Sequence, residues 1–137
     1  MTALETLHGR WAGEEEVFAT AWTPAGRAQA ELVLAAGPSD ALIVDYSETR
    51  TDGSMTGHGV VHGDGWWWFD SYGFVPAAPG TAAWIDGELV LERSSERGRN
   101  VMRLASDGKV LTMHLAAASG DGELQPLVSG VYRSVGA

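Results

Sequence analysis

Six residues carry most of the chemistry open to this chain: Glu15, Tyr46, Glu48, His58, Trp68 and Asp70. If Glu15 and Glu48 both turn inward they form a buried carboxylate pair. Crowding of two such groups pushes one pKa upward and makes an acid and a base from one residue type. The alternative for Glu15 is a solvated place in the Glu14-Glu15-Glu16 run. His58 and Asp70, if they meet across a hairpin, orient an imidazole and raise its basicity, which suits a general base or a ligand anchor. A surface cross-strand ion pair is the plainer reading of the same two residues. Trp68, turned inward, offers a flat wall to an aromatic or cationic ligand, with core filling as the alternative.

The element that must position these groups is Met55 to Tyr72, MTGHGVVHGDGWWWFDSY. It reads as a β-hairpin, with β-branched and aromatic runs flanking Gly63-Asp64-Gly65. A three-residue loop over 63–65 sets His62 opposite Trp66, Val60 opposite Trp68 and His58 opposite Asp70. A two-residue loop shifts that pairing and breaks the His58–Asp70 match. His58 and His62 lie ~13 Å apart at ~3.3 Å per residue, too far to chelate one metal, and no cysteine is present, so no metal site is expected. The Trp66-Trp67-Trp68 run alternates faces, so at least one indole points outward, where it would mark a packing partner or a homodimer face.

Strand alternation extends the argument to the carboxylates. Trp11, Gly13, Glu15 and Val17 share one face of the first strand; Leu42, Val44, Tyr46 and Glu48 share one face of the third. Glu15 and Glu48 thus ride with apolar residues, while His114 and Arg103 read as outward-facing. Turn signals recur at 24–26, 37–40, 52–53, 63–65, 79–80, 86–87, 97–98, 107–108 and 120–122, a rhythm of about eight to thirteen residues for most neighbours. The strands this predicts are Trp11–Trp22, Arg27–Ala36, Ala41–Arg50, Met55–His62, Trp66–Tyr72, Ala82–Ile85, Glu88–Glu92, Arg99–Ala105, Val110–Ala116 and Pro126–Ser134. Short connections favour an up-and-down antiparallel meander, and closure into a barrel removes its exposed edges. Thr2 to His8 reads as a short helical turn, with Thr2 as N-cap and Glu5 three residues on. The expectation is one all-β domain over residues 1–137, a barrel of about ten strands.

Composition narrows the function classes. Nine Lys+Arg against eighteen Asp+Glu give a formal charge of −9, a poor match to a phosphate backbone, so no nucleic-acid partner is expected. No apolar run approaches the ~18 residues of a membrane span, and Met1–Arg10 lacks the basic start and apolar core of a signal peptide. Together with the absence of cysteine, these features lead to the expectation of a cytoplasmic protein with no membrane partner. Phosphate-binding, nucleophile-elbow and dinucleotide motifs are missing, and no cofactor is expected.

Gly9-Arg10-Trp11-Ala12-Gly13 resembles the G-x-W-x-G opening of lipocalin-like barrels, in which the tryptophan plugs one end of the barrel under a short helix. Gly57-His58-Gly59 followed by Asp64, then Trp68-Phe69-Asp70-Ser71 and Val131-Tyr132-Arg133, is similar to a small bacterial lipocalin-like (calycin-type) family of unknown function. That family is related in architecture to nitrobindin and the fatty-acid-binding proteins. The resemblance implies a barrel with an interior cavity. Where those relatives tend to carry small residues, this chain has Glu15 and Glu48, so carboxylates replace cavity space. Nitrobindin binds haem through a histidine on its last strand, and Leu127 to Ser134 contains none.

The function this predicts is binding of a small, partly apolar, neutral or cationic molecule in the barrel interior. Glu15, Tyr46, Glu48, His58, Trp68 and Asp70 are the expected lining. The alternative is a cofactor-free enzyme, of cyclase or isomerase type, using the interior carboxylates and His58 for proton transfer; a dimerisation module is the third reading. The purified protein should form no stoichiometric histidine-ligated haem complex. A sharp Soret band at one haem per chain, lost on replacing His58, His62 or His114, would contradict that expectation.

Overall fold

A computed structural model of the chain describes residues 4–21, 23–73, 75–95, 98–119 and 122–135. A 3-10 turn, Leu4–Leu7, leads into ten strands: β1 (Gly9–Val17), β2 (Gly26–Ala36), β3 (Leu42–Arg50), β4 (Gly53–His62), β5 (Gly65–Asp70), β6 (Gly80–Ile85), β7 (Glu88–Ser95), β8 (Gly98–Ser106), β9 (Val110–Ala118) and β10 (Gln125–Ser134). Every strand pairs antiparallel with its neighbour in sequence, and β1 also pairs with β10, which closes the sheet into a barrel. The up-and-down barrel expected from the turn rhythm is the fold. The helical turn is present from Leu4 onward, and its expected cap Thr2 lies outside the described residues.

The two ends of the barrel differ in how they are filled. Leu34, Leu42, Leu89, Leu104 and Leu111 come together at the end where β1 begins, each at most 1% exposed. Leu7 and Trp11 complete this plug, and the Trp11 indole N–H donates to the Leu7 carbonyl at 2.9 Å, which ties the 3-10 turn across the barrel base. The G-x-W-x-G opening is explained in part by its last glycine. A Cβ on Gly13 would run into the Val131 carbonyl of β10, so glycine there permits the closing strand to approach.

Two expectations about local structure are corrected. The first strand was expected to run from Trp11 to Trp22, but it spans Gly9–Val17. The Phe18 amide still donates to Leu127; then Thr20 and Thr23 close a turn through their backbones and the Thr20 hydroxyl, which ends the ladder before the Pro24-Ala25-Gly26 signal. Trp22 itself lies outside the described residues. The hairpin loop holds two residues, not three: Gly63 at φ +60° fits the first central position of a type II′ turn, and Gly65 belongs to the ladder opposite His62. His58 therefore lies opposite Phe69, and Gly57 opposite Asp70.

That register explains the glycines of β4. Gly57, Gly59 and Val61 face inward, opposite Asp70, Trp68 and Trp66. The Trp68 indole lies over the two glycines, occupying the space a side chain would need at Gly57. Gly57→Ala should cost roughly 1–3 kcal/mol by overpacking. In urea unfolding the combination with Trp68→Leu should lose clearly less than the sum of the two single changes, and strict additivity would show that the indole is not the obstacle.

Candidate functional site

Beyond the leucine plug, the barrel opens into a cavity of about 950 Å³. Its wall is largely apolar, with Met55, Trp66, Trp68, Met102, Met113 and Leu115 on it. Trp66 and Trp68 tilt against each other at 6.1 Å between ring centroids, and Trp68 stands 6.4 Å from Tyr46. The tryptophans thus supply a continuous aromatic surface, while Trp67 faces outward.

Into this wall the strands set a cluster of buried polar groups. Glu15 on β1 is fully buried and Glu48 on β3 is 3% exposed. The Tyr46 hydroxyl lies between them, 2.8 and 2.7 Å from the two Glu15 oxygens and 2.9 Å from Glu48 Oε2. The Tyr132 hydroxyl on β10 donates to Glu15 Oε2 at 2.5 Å. Glu15 is paired with Gly130, and Tyr132 sits two residues on. A Cβ on Gly130 would occupy the place of the Tyr132 hydroxyl, so the glycine clears the path to Glu15. Arg50 then closes the cluster, its Nε donating to Glu48 Oε1 at 2.6 Å.

The electrostatics separate the two carboxyls. Burial, reinforced by the hydrogen bond with Glu48, pushes the Glu15 pKa up to about 8, against the lowering effect of the tyrosine hydroxyls. Burial also acts to raise Glu48, but hydrogen bonds from Glu15 and Arg50 outweigh it and hold Glu48 below the usual carboxylate range. At neutral pH, Glu15 keeps a proton and Glu48 is the ionised partner of Arg50. Burial next to these acids raises both tyrosines well beyond their ordinary range, so they remain neutral donors.

Nearer the mouth, Asp70 accepts from the Trp68 indole at 3.2 Å and from the Tyr72 backbone amide at 3.0 Å. The Arg93 guanidinium stands over the Trp66 ring, 5.8 Å from its centroid, and interacts electrostatically with Asp70. The Trp66 indole nitrogen is buried without an acceptor among the described residues.

Of the six residues expected at the site, Tyr46, Glu48, Trp68 and Asp70 line the cavity, and Glu15 lies directly behind Tyr46. His58 does not join them. The two-residue turn places it between inward Gly57 and Gly59, so its ring is on the outer face, half-exposed, with Nδ1 2.6 Å from Asp45 Oδ1 on β3. His114 is exposed beside Ser129, and Arg103 is exposed near Glu88. Sequence reasoning missed Tyr132, Arg50 and Arg93. The signal for Tyr132 was the reciprocal pattern Gly13-x-Glu15 and Gly130-x-Tyr132, which becomes legible once β1 and β10 are paired.

The plugged base, the aromatic wall and the open far end define a lipocalin-like barrel with an internal cavity. No protein-family model matches the sequence, and no curated protein is a significant match. The fold is similar to that of Rv2717c from M. tuberculosis, at 18% identity and TM-score 0.70, over 99% of each chain. It is also similar to an S-type phycobiliprotein lyase of Guillardia theta, at 10% identity and TM-score 0.67, over 98% of this chain and 91% of that one. A protein of unknown function from the DUF3598 family of Nostoc punctiforme matches 96% of this chain with 49% of its own, at 12% identity and TM-score 0.65. At these identities the likeness is one of fold. Among the described residues, no helix is long and apolar enough to cross a membrane.

The raised Glu15 carboxyl has a consequence for stability. In the unfolded chain it titrates near 4.5, and in the barrel at about 8. Between those values the folded protein holds a proton that the unfolded chain has lost, so stability from this group is full below about pH 4.5 and declines until about pH 8. Glu15→Gln, which keeps a neutral hydrogen-bonding group, should gain on the parent as pH rises through that window, by up to ~1.4 kcal/mol per unit. Thermal melts of the two proteins from pH 5 to 9 check this, and parallel curves would contradict it.

Proposed function

We propose that this protein binds a small, partly apolar molecule, neutral or cationic, in the open half of its barrel. The observation that carries the reading is the cavity of about 950 Å³ with a mostly apolar wall on which Tyr46, Glu48 and Asp70 converge. Ligand pockets typically enclose about 300–1,000 Å³ and combine apolar walls with a few placed polar groups. Trp68 and the methionines supply contact area. Tyr46, Glu48 and Asp70 supply orientation, and Glu15 holds Tyr46 from behind. Arg50 and Arg93 balance Glu48 and Asp70, so a neutral body with hydrogen-bonding groups suits this part of the wall. The fold shared with a phycobiliprotein lyase agrees with this reading at the level of the barrel alone.

A cofactor-free acid–base enzyme is the second reading. It is favoured by the opposed shifts of Glu15 and Glu48, since a protonated and an ionised carboxyl in contact are the parts that proton transfer needs. Both Glu48 oxygens are already engaged and His58 is outside, which leaves binding as the better supported function.

Titration with the uncharged dye Nile red should give a saturable rise in emission with one site per chain. Leu115→Trp, which projects a larger ring into the cavity, should weaken that binding while the thermal melt stays close to the parent. Equal dye binding by both proteins, or none by the parent, would overturn the assignment.

A further inference from the structure

The cluster at the cavity wall is short of one positive charge. Glu15 and Glu48 share the Tyr46 hydroxyl, and among the described residues Arg50 is the single cation bonded to either. Tyr46 has one proton to donate but lies within 2.7–2.9 Å of three carboxylate oxygens, and Tyr132 spends its own on Glu15 Oε2. Full satisfaction of these contacts requires a further proton held between the carboxyls. The charged and titratable groups facing Glu15 are Tyr132 from β10 and Tyr46 and Glu48 from β3, with Arg50 behind Glu48; β2 presents Ala28 and Ala30. Asp70 and Arg93 form a separate pair nearer the mouth.

Three members of this cluster, Tyr46, Glu48 and Arg50, are also cavity wall, and Arg50 is bonded to Glu48 Oε1. The Tyr46 and Trp68 ring centroids lie 6.4 Å apart, two aromatic rings on the wall that also holds Glu48. Aromatic faces attract organic cations, most strongly where water is excluded. Trp66 already holds one such cation, the Arg93 guanidinium.

We infer that the cavity takes an apolar organic ammonium in exchange for the proton shared by Glu15 and Glu48. The ammonium lies against Tyr46 and Trp68 with its charge at Glu48, and its apolar body reaches toward Met102, Met113 and Leu115. On binding, one proton leaves the cluster for solvent and the ligand's positive charge replaces it, so the buried charge stays constant. The inference rests on the binding function proposed above and names its ligand class.

The consequence is a specific pH dependence. At about pH 9 the Glu15–Glu48 pair is already ionised and binds the cation without releasing a proton. Below about pH 8 the cation competes with that proton, and its affinity should fall by up to tenfold per pH unit. An uncharged ligand of the same size should show no such trend.

The test uses octyltrimethylammonium, whose charge does not titrate, and 1-octanol, each followed by intrinsic tryptophan fluorescence at pH 6 and pH 9 with the parent and Glu15→Gln. Expected are binding of both probes, a preference for the ammonium of tenfold or more at pH 9 that shrinks at least tenfold at pH 6, and loss of this pH dependence in Glu15→Gln. The variant retains all other acidic groups, so general attraction by the acidic surface would persist in it. Octanol binding with no ammonium preference at pH 9, or a preference equally pH-dependent in Glu15→Gln, overturns this inference and leaves the binding function standing. Failure of both probes to bind overturns the two together.

Discussion

Closure through β1 determines what the interior can hold. This strand pairs on both sides, with β10 and with β2, and it brings the two ends of the chain's strand order into one ladder. Its inward face carries Trp11, Gly13, Glu15 and Val17, a sequence that passes from plug to close approach to carboxyl to cavity wall within four positions. Without the Gly13 contact to β10 the barrel does not close at this point. Without closure, Tyr132 does not reach Glu15. The buried polar cluster is therefore a product of topology: its members come from β1, β3 and β10, and no local segment contains it.

The second constraint is the cost of burying acids. An ionised carboxyl in a dry interior is strongly unfavourable unless it is paired or neutralised. The barrel uses both solutions side by side, with Arg50 for Glu48 and a proton for Glu15. Two tyrosine hydroxyls satisfy the remaining oxygens, so each buried acid has partners. Such an arrangement fills the place that small residues would leave empty. It also puts a charged, hydrogen-bonded anchor on the wall of a largely apolar cavity.

Much of this was legible in the sequence, for identifiable reasons. Turn residues at near-regular spacing announce a meander, and strict alternation places Glu15 and Glu48 on the inner faces of their strands. The hairpin register was not legible in the same way. Gly63-Asp64-Gly65 offers two glycines, and only the backbone decides which of them turns: Gly63 takes the positive φ, Gly65 pairs, and His58 moves to the outer face. Arg50 and Arg93 were missed because both lie near strand ends, where alternation says little about direction. The cavity's polar balance therefore emerged from the folded chain.

The account stands on a proton held by Glu15 at neutral pH, and the most direct measurement is its titration in the intact barrel. In protein labelled with carbon-13 at the glutamate side-chain carboxyl, one resonance should titrate with a midpoint near pH 8 and be absent from Glu15→Gln. If every glutamate carboxyl in the parent instead titrates in the ordinary range near pH 4.5, Glu15 is ionised at neutral pH and the shared-proton cluster does not exist.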